Sequence, residues 1–167
     1  MGINMANNLK INWQHSLILF LTATAIFIAD QISKALIREN MYLGESIPEE
    51  GRFRFAYSTN SGSAFGLSID STFLLVMAFV VIIVIIWLHF YYLSSAGKFM
   101  RVGLGLVLGG AMGNLIDRVR FGEVTDFLDV QLWGDFHWAT FNIADASLTT
   151  GIFILMFCLL SMAKESH

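Results

Sequence analysis

The chain has 167 residues, 56% of them hydrophobic and 14% charged, with a net charge of −3 and a mean hydropathy of +0.64. The charged fraction is roughly half the ~25% of ordinary soluble domains, and the apolar residues are blocked rather than dispersed, so the class is integral membrane protein. The small acidic balance excludes a basic nucleic-acid surface. The single cysteine, Cys158, lies inside an apolar run and excludes an intramolecular disulfide and a cysteine-based zinc site.

Met1 to His15 reads as a polar tail, and the apolar segment after it lacks a small-residue cleavage pattern, so it is expected to be a retained span at about 16–37. Its run ends in Asp30-Gln31-Ile32-Ser33-Lys34. Asp30 and Lys34 are four apart, share a helix face and can pair, and Lys34 at the far end can snorkel. The polar segment at about 39–71 contains Arg52-Phe53-Arg54-Phe55-Ala56-Tyr57, whose alternation predicts a strand. Asn60-Ser61-Gly62-Ser63 predicts a turn. A small β element on the membrane surface follows, with Phe53, Phe55 and Tyr57 facing lipid or the helices.

The second span, about 72–92, contains an unbroken apolar run and ends in Trp87, Tyr91 and Tyr92, an interfacial belt. The third, about 102–117, carries Gly105, Gly109 and Gly113 at GxxxG spacing, which predicts close helix packing. The segment at about 118–140 is polar; Val130 and Leu132 alternate with Asp129 and Gln131 and predict a short strand. The fourth span, about 141–163, has Asp145 near its start. One integral membrane domain over 1–167 is expected: four transmembrane helices with a small β element and loops on the extracytoplasmic face.

Four spans in alternating directions bring the ends of spans one and three to the same side as the start of span four. Asp30 and Lys34, then Asn114, Asp117 and Arg118, then Asn142 and Asp145 converge there. Ionisable groups at such a depth are costly and mark a functional site. The opposite side has short segments denser in basic residues, so the positive-inside rule puts both termini in the cytoplasm.

Asp126 and Asp145 are the candidate catalytic pair. Two neighbouring carboxylates cannot both ionise easily, so one keeps a proton; the other can then take a proton from water while the first donates to a carbonyl oxygen. Asp126 is expected on a loop and Asp145 at a helix start, so that both reach a cleft at the membrane surface. The competing structural reading makes Asp145 a helix cap and Asp126 a solvated loop acid, with Asp117 and Asp129 as rival partners. Arg118 can hold a carboxylate or a backbone carbonyl, and Asn114 can orient a neighbour. The histidines show no metal-ligand spacing, and no cofactor is expected. Three other functions remain open: a proton- or ion-coupled transporter using Asp30, Lys34 and Asp145 as a relay, a structural subunit without chemistry, and a magnesium-dependent lipid transferase.

Five blocks together resemble the bacterial lipoprotein signal peptidases, also called signal peptidase II. They are Asp30-Gln31-Ile32-Ser33-Lys34, Asn60-Ser61-Gly62-Ser63-Ala64-Phe65-Gly66, Gly113-Asn114-Leu115-Ile116-Asp117-Arg118, Val124-Thr125-Asp126-Phe127 and Phe141-Asn142-Ile143-Ala144-Asp145. The resemblance runs from the first span to the fourth; Ser61 and Ser63 stand where Thr and Ala are common in the family. It implies an inner-membrane aspartyl endopeptidase with cytoplasmic termini. Its substrate would be a diacylglyceryl-modified prolipoprotein, cut before the lipidated cysteine, and its inhibitor globomycin. By the same resemblance Asp126 and Asp145 match the catalytic pair, and Asn114, Arg118 and Asn142 match polar residues around it. Asp30, Lys34, Asn60 and Gly62 match positions that maintain the site or its surface loop.

Overall fold

The computed structural model describes residues 13–64, 67–68, 70–91, 97–134 and 136–165. Residues 1–12, 65, 66, 69, 92–96, 135, 166 and 167 lie outside the described residues, among them Phe65 and Gly66 of the second block and Tyr92 of the expected belt.

Four long helices dominate: α1 (Trp13–Asn40), α2 (Ser71–Tyr91), α3 (Lys98–Phe121) and α4 (Ile143–Glu165). Each is long and apolar enough to cross a bilayer, so the chain is a multi-pass membrane protein. α3 starts at Lys98 rather than Val102 and ends at Phe121 rather than Asp117. Charged residues at its two ends had marked the edges of the apolar run, but the helical backbone continues through them.

α3 is the core helix. In its apolar window 72% of residues are buried, against 22% for α1 and 11% each for α2 and α4, whose remaining surface is left for lipid. Leu104, Val107 and Leu108 of α3 pack with Leu19 and Ala23 of α1 and Ile85 of α2. The expected glycine stripe does this packing. A Cβ at Gly105 would lie 2.7 Å from the Leu19 carbonyl oxygen of α1 and one at Gly109 2.6 Å from the Ala23 carbonyl oxygen; Gly110, outside the expected stripe, does the same for α4, 2.5 Å from the Ala144 carbonyl oxygen. The backbones meet where no side chain fits.

Gly122 ends α3. Its φ of 79° is left-handed, and its N–H donates to the Arg118 carbonyl at 3.0 Å. The chain therefore turns straight from the helix into a strand. That strand, β5 (Val124–Trp133), is longer than the expected one and pairs antiparallel with β2 (Phe53–Asn60). β1 (Ser46–Ile47) and β6 (Phe136–His137) complete a four-stranded sheet in the order β1-β2-β5-β6, and β3 (Ser63–Ala64) and β4 (Leu67–Ser68) form a separate hairpin. The β2–β5 register shifts between Phe55 and Ser58, opposite Phe127, and such irregularities re-aim neighbouring side chains. The sheet lies at the end of the bundle where α3 finishes and α4 begins. Phe53 and Phe55 are exposed on it, and Phe55 stacks on Phe127 with ring centroids 6.5 Å apart.

Candidate active site

The site stands on a buried ionic base. Lys34 does not snorkel: it is fully buried, and its ammonium reaches Asp30 Oδ2 at 2.9 Å, Asp117 Oδ2 at 3.2 Å and Asn114 Oδ1 at 2.9 Å. A lysine has three N–H donors, and each has a partner here. The expected Asp30–Lys34 pairing is present, and it points inward because two of the three partners come from α3.

Both carboxylates of this base also hold backbone. Asp30 Oδ1 accepts the Ala144 N–H at 2.9 Å, in the first turn of α4, and Asp117 Oδ2 accepts the Thr125 N–H at 3.1 Å, at the start of β5. The Gln31 side-chain amide donates to Asp30 Oδ2, the Gly113 carbonyl and Asp117 Oδ1 at 3.1–3.2 Å. A Cβ at Gly113 would sit 2.5 Å from Asp30 Oδ2, so this glycine makes room for a carboxylate as well as for a helix. Gln31 and Thr125 lie in the two blocks that hold Asp30 and Asp126, but nothing in their spacing reveals these contacts.

Above the base lie two carboxamides and two carboxylates. Asn142 precedes α4; its Oδ1 accepts the Asp145 N–H at 2.9 Å, while Asp145 Oδ2 accepts the Asn142 N–H at 3.3 Å. This is reciprocal capping, so Asp145 does close its helix start, as the structural reading expected. Its other oxygen is engaged elsewhere, accepting from Asn114 Nδ2 at 2.7 Å. Asn142 Nδ2 reaches Asp126 Oδ1 at 2.7 Å, Asn114 Oδ1 at 3.2 Å and the Thr125 carbonyl at 3.3 Å. One carboxamide residue thus bonds to both Asp126 and Asp145.

Asp126 is neither on a loop nor solvated. It lies within β5, paired opposite Ser58, and is 2% exposed. Asn60, at the end of β2, donates to its Oδ2 at 3.3 Å, and Asn60 Oδ1 accepts the Gly62 N–H at 2.9 Å. Gly62 has φ 118°, so glycine permits this turn. Burial first, then the Asp145 carboxylate, push the Asp126 carboxyl from 3.8 up to about 7, against hydrogen bonds from Asn60 and Asn142 and the charge of Lys34.

Arg118 is half-buried. Its Nη1 makes a 3.4 Å contact with the Asn114 carbonyl, its buried Nε has no hydrogen-bond partner among the described residues, and its charge interacts with Asp145, Asp126 and Asp117. It therefore has donor capacity to spare beside the two carboxylates. The rival acids are occupied. Asp117 belongs to the ionic base, and Asp129 pairs with Arg54, through Nε at 2.7 Å and through Nη2, and with His137 Nδ1 at 2.8 Å. Three residues along a strand put Asp129 on the opposite face from Asp126. Nothing in the sequence pointed to the Arg54–Asp129–His137 cluster.

The arrangement holds a buried carboxyl able to keep a proton near neutral pH beside a hydrogen-bonded carboxylate, where three transmembrane helices meet a sheet. The chain is similar in sequence and in fold to known proteins. A family described as signal peptidase (SPase) II matches residues 22–161. The chain is 42% identical over 146 residues to a lipoprotein signal peptidase of Moorella thermoacetica, covering 87% of this chain and 94% of the relative. It is 40% identical over 156 residues to one of Syntrophus aciditrophicus, covering 89% and 96%. A bacterial membrane enzyme solved by the in meso method at 2.3 Å superposes with a TM-score of 0.79 at 32% identity, covering 89% of this chain and 91% of that one. With the match spanning all four helices and the sheet, the chain belongs to the signal peptidase II family.

Proposed function

We propose that this chain is an aspartic endopeptidase that removes the signal peptide from diacylglyceryl-modified prolipoproteins, cutting before the lipidated cysteine. Asp126 and Asp145 are the catalytic pair. The observation that carries this reading is the shared bonding of both carboxylates to Asn142, one through its side chain and one through its backbone. Family membership supports the substrate class. A lipid-anchored substrate presents its scissile bond at the bilayer surface, which is the level at which α1 and α3 end and α4 begins.

The chemistry needs one proton on the pair. The ionised carboxylate takes a proton from water as the water oxygen attacks the scissile carbonyl carbon, and the protonated one donates to the carbonyl oxygen. Arg118, with unused donors beside the pair, holds a substrate carbonyl. Asn114 and Asn142 orient the carboxylates. Asp30, Lys34 and Asp117 hold the elements that bear them, and Asn60 with Gly62 shapes the turn over Asp126. Leu36, Ile37, Met41, Ile47, Phe55 and Phe127 line an apolar groove of about 450 Å³, and it suits an acyl chain of the substrate.

The same reading makes residues 1–167 one integral domain in the cytoplasmic (inner) membrane, with both termini cytoplasmic and the sheet outside. A globomycin-type cyclic peptide is expected to inhibit it, a reading that family membership supports.

The test uses purified full-length chain in detergent, with a diacylglyceryl-modified precursor and its unmodified form as substrates. Wild type is expected to process the lipidated form alone, and Asp126→Asn and Asp145→Asn to lose about 10²–10⁴-fold in rate while staying folded. Undiminished cleavage by both variants would overturn the catalytic assignment. Equal processing of unmodified precursor would overturn the substrate class.

A further inference from the structure

Two carboxylates that share one proton can hold it in either of two places, and the surroundings of Asp126 and Asp145 are not equivalent. Asp145 lies in the first turn of α4, where the helix N-terminus favours negative charge. Its Oδ1 accepts from Asn114 Nδ2 at 2.7 Å and its Oδ2 from the Asn142 N–H at 3.3 Å. Both oxygens thus face N–H donors, which favours the ionised form.

Which end of the Asn114 amide faces Asp145 is decided on its other side. The Lys34 ammonium has donors only, so the Asn114 atom 2.9 Å from it is the oxygen. Asn142 Nδ2, at 3.2 Å, donates to that same oxygen. The NH₂ is thereby turned to Asp145. The Asn142 amide has no choice either, because its oxygen accepts the Asp145 N–H at 2.9 Å.

Asp126 has weaker support for a negative charge. It lies on a strand, away from any helix start, and its donors are two neutral carboxamides. The Asn60 contact to Oδ2 is 3.3 Å, the same length as the Asn142 N–H contact to Asp145 Oδ2, so what sets the two carboxylates apart is the helix start at Asp145 and the Lys34–Asn114 link behind it.

We propose that Lys34, acting through the amide of Asn114, keeps Asp145 ionised and leaves the shared proton on Asp126. This rests on the peptidase reading above and assigns the roles within it. Asp145 takes a proton from the attacking water while Asp126 O–H donates to the carbonyl oxygen, giving a gem-diol. The Asp145 proton then passes to the leaving amine as the C–N bond breaks, and a gem-diol hydroxyl returns its proton to Asp126. The pair ends as it began. Lys34 is a positioning residue: it acts on the pair at one remove.

The test is infrared spectroscopy of full-length protein, with ¹³C-labelled aspartate carboxyls, at pH 6 in detergent. A protonated carboxyl gives a C=O band that carboxylates lack. The band is expected to persist in Asp145→Asn and to vanish in Asp126→Asn. Loss of the band in Asp145→Asn, or its survival in Asp126→Asn, would overturn the assignment. Where the band goes against the assignment and both variants lack activity, only the proton placement falls; where both variants still cleave, the peptidase assignment falls with it. Asn114→Leu tests the route from Lys34. The acid limb of its kcat/KM profile should move up by about one pH unit, whereas a purely structural loss would lower the profile without moving that limb and would overturn the role of Lys34.

Discussion

The ammonium of Lys34 lies 2.9 Å from Oδ2 of Asp30, and neither side chain is exposed. With Asp117, also fully buried, it forms one cation between two carboxylates at the seam of α1 and α3. Removing one partner of a buried ionic group leaves an uncompensated charge and costs about 3–5 kcal/mol. Lys34→Met should therefore lower the Tm in detergent by many degrees. A cycle with Asp30→Asn should be non-additive by about 1 kcal/mol or more, since the two residues are in contact.

Burial of Asp126 has a sign that can be measured. Its folded-state value near 7 exceeds the unfolded 3.8, so the folded chain binds this proton more tightly. The contribution to stability is fully present below about pH 4 and is lost as pH rises through about 7, amounting to roughly 4 kcal/mol at most. Asp126→Asn, which cannot ionise, should be more stable than wild type at pH 8 and should lack this part of the pH dependence. Thermal unfolding at pH 5, 6, 7 and 8 checks both points, and parallel curves for the two proteins would contradict them.

The same group sets the alkaline side of the activity. One proton must remain on the pair, so kcat/KM should fall about tenfold per pH unit once Asp126 loses its proton above about 7. A profile flat from pH 6 to 9 would show that this carboxyl does not titrate in the working enzyme.

Asp129 is the control among the acids of β5. It is nearly as buried as Asp126, at 4% against 2%, but it is tied to Arg54 and His137 on the other face of the strand. Asp129→Asn should keep most of the wild-type kcat/KM while lowering stability, whereas Asp126→Asn should do the reverse at pH 8. Steady-state kinetics and unfolding on the same two preparations separate them.

The glycine stripe predicts a contrast in packing. A Cβ at Gly109 would lie 2.6 Å from backbone of α1, and a helix cannot yield there without moving, so Gly109→Ala should cost about 1–3 kcal/mol. At Gly97, before α3, a Cβ meets nothing within 4 Å and φ is −63°. Gly97→Ala should be close to neutral in Tm.

What the sequence by itself determined was local or followed from counting. Apolar run length set the four helices, because a bilayer demands a minimum length of continuous apolar chain. The parity of the spans brought Asp30, Asn114, Asn142 and Asp145 to one end, and the helical period paired Asp30 with Lys34 and lined up Gly105, Gly109 and Gly113. The tertiary structure decided the rest. Asp126 is a strand residue because β2, far away in the chain, pairs with β5. Val124, Thr125, Asp126 and Phe127 are all buried, so the alternation that marks a strand covered on one face is missing there. Lys34 turns inward instead of snorkelling because Asn114 and Asp117 arrive from a helix some eighty residues on, and a charge in a low-dielectric interior follows its counter-charges rather than its sequence neighbours.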